Sequence, residues 1–293
     1  MCELFALSSS VPAEVSFSLQ EFSNHGGLTD RHKDGWGIAY YDDNDARIIK
    51  EADSASDSSY LRFIKDLKIK SKIILSHIRL ATQGEISTRN TQPFSRELGG
   101  KRHVFIHNGD LSNFENLQNS CSCRFKPIGN TDSEQAFCYL MEKMCAIWDQ
   151  KTPPSLEARQ KVFEHFANKI SALGIANFIY SDSEYIFVHS HKRISLEEEV
   201  LPGLYIICRH CSVEEHGKHG KDISGLQIDK TESMDVVLIA SVPLCEAGWL
   251  VIPTGGIRII QNGKVIYSAQ NSEKQGGVCS TSSTELCFIE TSA

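Results

Sequence analysis

Two helix-period segments stand side by side in the middle of this chain, and strand-like segments flank them on both sides. Residues 132–148 carry Ala136, Phe137, Leu140, Met141 and Met144 at helical spacing behind a cap at Thr131 or Asp132. The Pro153-Pro154 break separates this helix from a second over 156–171. Upstream, strands are predicted over 3–8, 38–41, 47–50, 72–78 and 103–106, with helices over 13–22 and over 57–67 capped by Asp57, and a short strand over 121–127. Downstream the pattern is nearly all strand: 176–180, 185–189, 204–208, 236–241, 249–252, and a hairpin of 257–261 and 264–268 around Asn262-Gly263. Such a distribution is too irregular for a doubly wound parallel sheet and predicts an α+β protein of stacked sheets with helices outside. One domain is expected over 2–268, followed by a polar, mobile tail over 269–293, with an exposed loop over 214–225.

Charge narrows the function classes. The 293 residues have a net charge of −7, which argues against a nucleic-acid surface and against anchoring on anionic membranes. The first twenty residues lack a basic start followed by an apolar run, and the apolar stretch 236–244 is far too short to cross a bilayer, so a cytoplasmic protein is expected. Ten cysteines lack the regular density of a disulfide scaffold; most are expected reduced, with Cys138 and Cys145 as small core residues. Cys208 and Cys211 followed by His216 and His219 are metal-type residues. The gap between the pairs is shorter than in a zinc finger and Cys208 falls in a strand pattern, so no metal is expected. Neither Gly99-Gly100 nor Gly255-Gly256 makes a phosphate loop, and no cofactor is expected.

Chemistry points first to Cys2. Removal of Met1 would leave a thiol and a free α-amine on one residue. The amine titrates near ~7.7–8.0 and the thiol near ~8.5, so the amine can take the thiol's proton. Leu4, Phe5, Ala6 and Leu7 would run this end into a buried strand that holds the nucleophile still.

Three further groups stand where strands end or loops begin: Ser76-His77-Ile78-Arg79-Leu80-Ala81-Thr82-Gln83-Gly84, His107-Asn108-Gly109, and Gly129-Asn130-Thr131-Asp132-Ser133-Glu134. Together with Cys2, in this order and spacing, they resemble the class II, N-terminal-nucleophile glutamine amidotransferases. The opening Met1-Cys2-Glu3-Leu4, the segment His32-Lys33-Asp34-Gly35-Trp36-Gly37-Ile38 and the run Pro93-Phe94-Ser95-Arg96-Glu97-Leu98 resemble the small stand-alone, YafJ-like members. The likeness is strong over 2–150 and looser to 268.

That resemblance implies a four-layer αββα sandwich of the N-terminal-nucleophile hydrolase type. It implies Cys2 as nucleophile and its α-amine as base, with the Asn108 side chain and the Gly109 N–H as oxyanion donors. Arg79 would grip a substrate α-carboxylate and Asp132 an α-ammonium, with Thr82 and Gln83 lining the carboxylate end. His77 and His107 are read as structural. The implied activity is cysteine-dependent hydrolysis of a γ-glutamyl amide, of glutamine or a γ-glutamyl compound, through a thioester on Cys2. The amine side would be lined near Trp36 and Leu80. Leu80 and Gln83 stand where many biosynthetic members have Trp and His. No synthase domain is expected after 268, so an alternative is a glutaminase or regulatory subunit active only with a protein partner.

Overall fold

The computed structural model describes residues 2–14, 32–66, 69–112, 124–148, 152–195, 198–211, 233–244 and 248–270. Strands β1 (Glu3–Glu14), β2 (Trp36–Asp42) and β3 (Asp45–Glu51) are followed by helix α1 (Ser59–Asp66), then by β4 (Lys70–Ile78), β5 (Phe94–Leu98) and β6 (Lys101–Leu111). Helices α2 (Asp132–Trp148) and α3 (Leu156–Ser171) come next. The chain then runs through β7 (Gly174–Ser181), β8 (Ile186–Ser190), β9 (Lys192–Ile194), β10 (Val200–Pro202), β11 (Leu204–Cys211), β12 (Met234–Ala240), β13 (Leu250–Ile252), β14 (Gly256–Gln261) and β15 (Lys264–Gln270).

The strands assemble into a seven-stranded sheet, β13-β11-β12-β1-β4-β2-β3, and a six-stranded sheet, β15-β14-β8-β7-β6-β5, with β9 and β10 as a separate pair. Side chains of successive strand residues point to opposite faces, and here both faces are apolar. Leu4, Ala6, Leu75 and Ile239 of the first sheet pack with Val104, Ile106, Ile179 and Val188 of the second. The alternate residues Phe5, Leu7, Ile74 and Leu238 pack with Leu61 and Ile64 of α1. On the second sheet, Phe105, Phe178 and Phe187 pack under Phe137, Phe163 and Phe166 of α2 and α3. A strand buried on both faces reads as a near-continuous apolar run, which is why Leu4–Leu7 and Val104–Ile106 carry no polar alternation.

Helix ends follow their local chemistry. Ser155 accepts from the Ala158 N–H, and Thr131 Oγ1 accepts from the Glu134 N–H at 3.3 Å. The cap of α1 is Ser58, whose Oγ accepts from the Leu61 N–H at 3.0 Å, and not Asp57, whose own N–H closes a turn onto Ser54 O. Asn262 and Gly263 take φ of 46° and 74°, the paired left-handed residues of a tight hairpin turn.

Several expected boundaries move. Ala13 and Glu14 end strand β1 instead of opening a helix; the rest of that helix, residues 15–22, lies outside the described residues. Phe94–Leu98 forms a strand that is not among those expected from the sequence. Residues 124–127 are not strand, and 121–123 lie outside the described residues, as do 214–225, His216, His219 and 271–293. The largest correction is β6. It does not stop at Ile106 but continues through His107-Asn108-Gly109, held by β7 in the register Asn108↔Asn177 and Gly109↔Ala176. Among the described residues no helix is long and apolar enough to cross a membrane.

Two consequences are measurable. Phe178 touches the rings of Phe105, Phe163, Phe166 and His189, so Phe178→Ala should cost about 3–5 kcal/mol in denaturant unfolding; a loss below about 1 kcal/mol would contradict this packing. His103 and His189 are buried, and burial above all pushes each down to about 4, against partial compensation from Asp182 for His103 and from the Ala176 carbonyl for His189. Both are therefore neutral in the fold and charge more readily when unfolded. Their contribution is complete above the ordinary imidazole range and is lost as pH falls from about 6.5 toward about 4, by roughly 3 kcal/mol each at most. Unfolding midpoints followed across that window should fall steeply, and less steeply in His103→Gln.

Candidate active site

The expected site residues come together at one end of the two sheets. Cys2 immediately precedes β1, whose first pairs are Glu3↔Ile78 and Leu4↔His77 on β4. This register sets Cys2 beside the segment that follows β4, Arg79-Leu80. The Leu80 N–H donates to Cys2 Sγ at 3.3 Å, and the thiol lies 3.4 Å from Leu80 O. From the other sheet, Asn108 Nδ2 donates to the Cys2 carbonyl oxygen. Burial pushes the Cys2 thiol up, while the Leu80 N–H and the Arg79 guanidinium act against burial.

Gly109 follows Asn108 on β6. A Cβ there would overlap the carbonyl oxygen of Ile175 on β7 and crowd His107 Nε2 at 2.7 Å. Only glycine lets the strands pair at this point. The Asn108 carbonyl is held by Asn177 Nδ2 at 3.2 Å, and Asn177 also reaches Lys192 O and accepts from the His191 N–H.

Arg79 is buried, and its guanidinium meets the backbone. Nη1 donates to Glu85 O at 3.0 Å, and Nη2 to Gln83 O at 2.9 Å and Gly84 O at 3.3 Å. The loop after β4 is thus wrapped around the side chain expected to meet a carboxylate; of five guanidinium N–H groups, two remain outside these contacts. Thr82, on the same loop, is exposed, and half-buried Gln83 donates through Nε2 to Asp110 Oδ1.

Asp132 opens α2 and is buried. Its Oδ2 accepts from the Leu111 N–H at 2.8 Å and its Oδ1 from the Ser133 N–H at 2.7 Å, so it ties the end of β6 to the start of the helix. Carboxylate oxygens have further lone pairs free for a ligand. His107 Nδ1 lies 2.8 Å from Ser133 Oγ, and burial holds the ring below the usual imidazole range despite Asp132. His77 is also buried and held well below that range, by burial first and by the Arg79 charge next. Trp36 does not line the amine side: its ring is buried in the outer cluster and Nε1 donates to Glu51 at 3.1 Å.

Three side chains important to this geometry were given no role from sequence. Asp34 Oδ2 accepts from the Ala81 N–H at 2.7 Å and fixes the segment after Arg79. Gln92 accepts from the His107 N–H at 2.6 Å and donates to the His107 carbonyl at 3.1 Å, bracing β6 just before Asn108. Asn90 bridges Glu85 O and both the side chain and the N–H of Asn130. Asp34 lies within the Asp34-Gly35-Trp36-Gly37 motif, which signals a loop but not its partner; Gln92 and Asn90 carry no sequence signal, because their partners are set by tertiary placement.

Comparison with known proteins gives this geometry a family. The model for "Glutamine amidotransferases class-II" matches residues 1–284. The Escherichia coli (strain K12) protein "Putative glutamine amidotransferase YafJ" is 36% identical over 189 residues, 64% of this chain and 72% of that one. A Haemophilus influenzae (Rd) protein, "Putative glutamine amidotransferase", is 32% identical over 279 residues, 94% of this chain and 89% of its own length. The crystal structure of a predicted glutamine amidotransferase from Pseudomonas aeruginosa PA01 superposes with a TM-score of 0.64 at 27% identity, covering 91% of this chain and all of that one. The chain belongs to the class II glutamine amidotransferases, and so to enzymes of amidohydrolase and amidotransferase type.

Proposed function

We propose that the chain hydrolyses the γ-glutamyl amide bond of glutamine or of a γ-glutamyl compound, with Cys2 as nucleophile. The observation that carries this is the junction of the two sheets, where Asn108 meets the Cys2 backbone, Gly109 follows it on β6, and the charges of Arg79 and Asp132 act on the thiol. In this reading Met1, outside the described residues, is removed and the α-amine of Cys2 accepts the thiol proton. Sulfur attacks the γ-carbonyl carbon, and charge develops on an oxygen facing the Asn108 amide and the Gly109 N–H. The C–N bond breaks and the amine departs with the proton. Water then adds to the thioester, the C–S bond breaks, and glutamate leaves with the thiol restored.

Arg79 and Asp132 would read the unreacting α-carboxylate and α-ammonium, with Thr82 and Gln83 beside them. We further infer the four-layer αββα sandwich, supported by the three apolar clusters that separate α1, the two sheets, and α2 with α3. One domain over 2–268, which strand β15 carries on to Gln270, and a cytoplasmic setting complete the reading. A second reading is a subunit active only with a protein partner. Ile86 and Ile128, 57% and 72% exposed near the site loops, favour it as a seat for such a partner.

The test is glutamate release from purified protein offered glutamine and, separately, γ-glutamyl peptides. Turnover without a partner supports the hydrolase, and Cys2→Ala should abolish it with an unchanged melting curve. Release only after a partner is added would establish the second reading. Asn108→Ala should lower kcat by about 10²–10³, whereas loss of Asp132 should act mainly on KM; a normal kcat in Asn108→Ala would remove that residue from the oxyanion site.

Alkylation supplies a pH test. Because burial raises the Cys2 thiol, its thiolate is scarce near neutrality and grows as pH rises. The rate of Cys2 alkylation should still be climbing beyond the ordinary thiol range. A rate that levels off below pH ~7 would mean a standing thiolate.

A further inference from the structure

Away from Cys2, a cleft of about 380 Å³ opens between the outer strands of the two sheets, β3 and β5. Three cations line it, Lys50, Arg89 and Arg96, against one carboxylate, Glu134. Two of these cations are already matched. Arg96 Nη2 pairs with buried Glu134 at 2.7 Å, and Glu134 also accepts from the Gly129 N–H. Arg89 pairs with Glu85. Lys50 is different. Its Nζ donates to Thr91 O at 2.7 Å and lies 5.4 Å from the centre of the Phe94 ring, and among the described residues no carboxylate is within ion-pair distance of it. An ammonium has three N–H donors, so two remain for a ligand.

We propose that this cleft is a binding site for a small organic anion, one oxyanion head carried on a compact apolar body. The head would sit at Lys50, with Arg89 at the rim. Ile48, Pro93, Phe94 and Ile128 supply an apolar wall for the body, the mixture of a few charges on apolar lining that small-molecule sites show. The volume accommodates a single ring or a short chain together with its head group. Lys50 titration agrees with this geometry. Burial, opposed by Glu134 and aided by the Arg96 charge, lowers it to about 8, so an anion beside it would favour the charged ammonium. No residue placed at the Cys2 site lines this cleft, so occupancy is read without turnover, and its outcome is independent of the hydrolase reading.

Phenyl phosphate, benzoate and inorganic phosphate are the probes, titrated into the full chain and followed by backbone amide NMR. Saturable shifts are expected at Ile48–Lys50 and Phe94–Arg96, with phenyl phosphate or benzoate tighter than inorganic phosphate because only they reach the apolar wall. The stronger of the two aromatic probes identifies the head group as phosphate or carboxylate. Affinity should fall about tenfold per pH unit above about 8, as Lys50 loses its proton. Lys50→Met should weaken binding at least tenfold, and Lys50→Arg should retain it. If Lys50→Met does not fold, the pH dependence of the unmodified protein decides. No saturable shift, shifts confined to the Cys2–Arg79 region, or binding indifferent to pH and to the charge at position 50 would overturn the proposal.

Discussion

One hydrogen bond joins the two halves of this molecule where its chemistry is gathered: Asn108, in one sheet, donates to the backbone of Cys2, at the start of the other. That contact depends on how far apart the sheets stand. Between them Leu4, Ala6, Val104, Ile106, Ile179 and Val188 are wholly buried, and apolar side chains of this size hold stacked sheets about 10 Å apart. A short amide can bridge that gap only at the end of the sandwich, where the apolar filling stops. Asn108 is two residues beyond Ile106 on the same face of β6, so it is the next inward-facing side chain after the core ends. Gly109 then has to be small, because the Ile175 carbonyl of the paired strand β7 lies where a Cβ would stand. The spacing of the core and the placement of the site are one constraint.

Most of the fold was legible because apolar runs declare themselves. The helices at 132–148 and 156–171, the hairpin at Asn262-Gly263 and strand over 3–8 and 103–106 all follow from residue pattern alone. Patterns failed where a partner across space decides the structure. His107-Asn108-Gly109 is a turn by composition, yet pairing with β7 extends it as strand. Ser95 and Arg96 obscure a strand at 94–98 that exists because β6 pairs with it. The same limit holds in the site. Cys2, Arg79, Asn108, Gly109 and Asp132 were marked by motif, and the structure brings them together. That Arg79 would spend three contacts on its own loop could not be read, since carbonyls 83, 84 and 85 have no sequence signature.

Those carbonyls explain how an irregular segment can be fixed in place. Residues 79–93 between β4 and β5 lack sheet partners, and their backbone groups must be satisfied some other way. Arg79 takes three carbonyls, Asp34 takes the Ala81 N–H, Asn90 takes Glu85 O, and Gln92 clamps the backbone of His107. Arg79, Asn90 and Gln92 are buried side chains of the loop itself, and half-buried Asp34 precedes β2. Through Asp34 and the His107 backbone the loop is tied to the strands that carry Trp36 and Asn108, which holds Leu80 in place beside the thiol.

Burial around the thiol also limits where its proton can go. His77 and His107 are both held below the ordinary imidazole range, so near neutral pH they carry no charge with which to stabilise a standing thiolate. Among the described residues, the hydrogen bonds of Cys2 Sγ are both to Leu80. Its N–H favours the thiolate, and its carbonyl favours the thiol. With burial added, the balance rests on the thiol side. In the proposed reaction, deprotonation would accompany attack instead of preceding it, by a base close enough to act within the same residue's reach. The α-amine that removal of Met1 would expose on Cys2 meets that requirement by covalent geometry alone. This is the physical reason for favouring a terminal-amine mechanism over one that borrows a histidine.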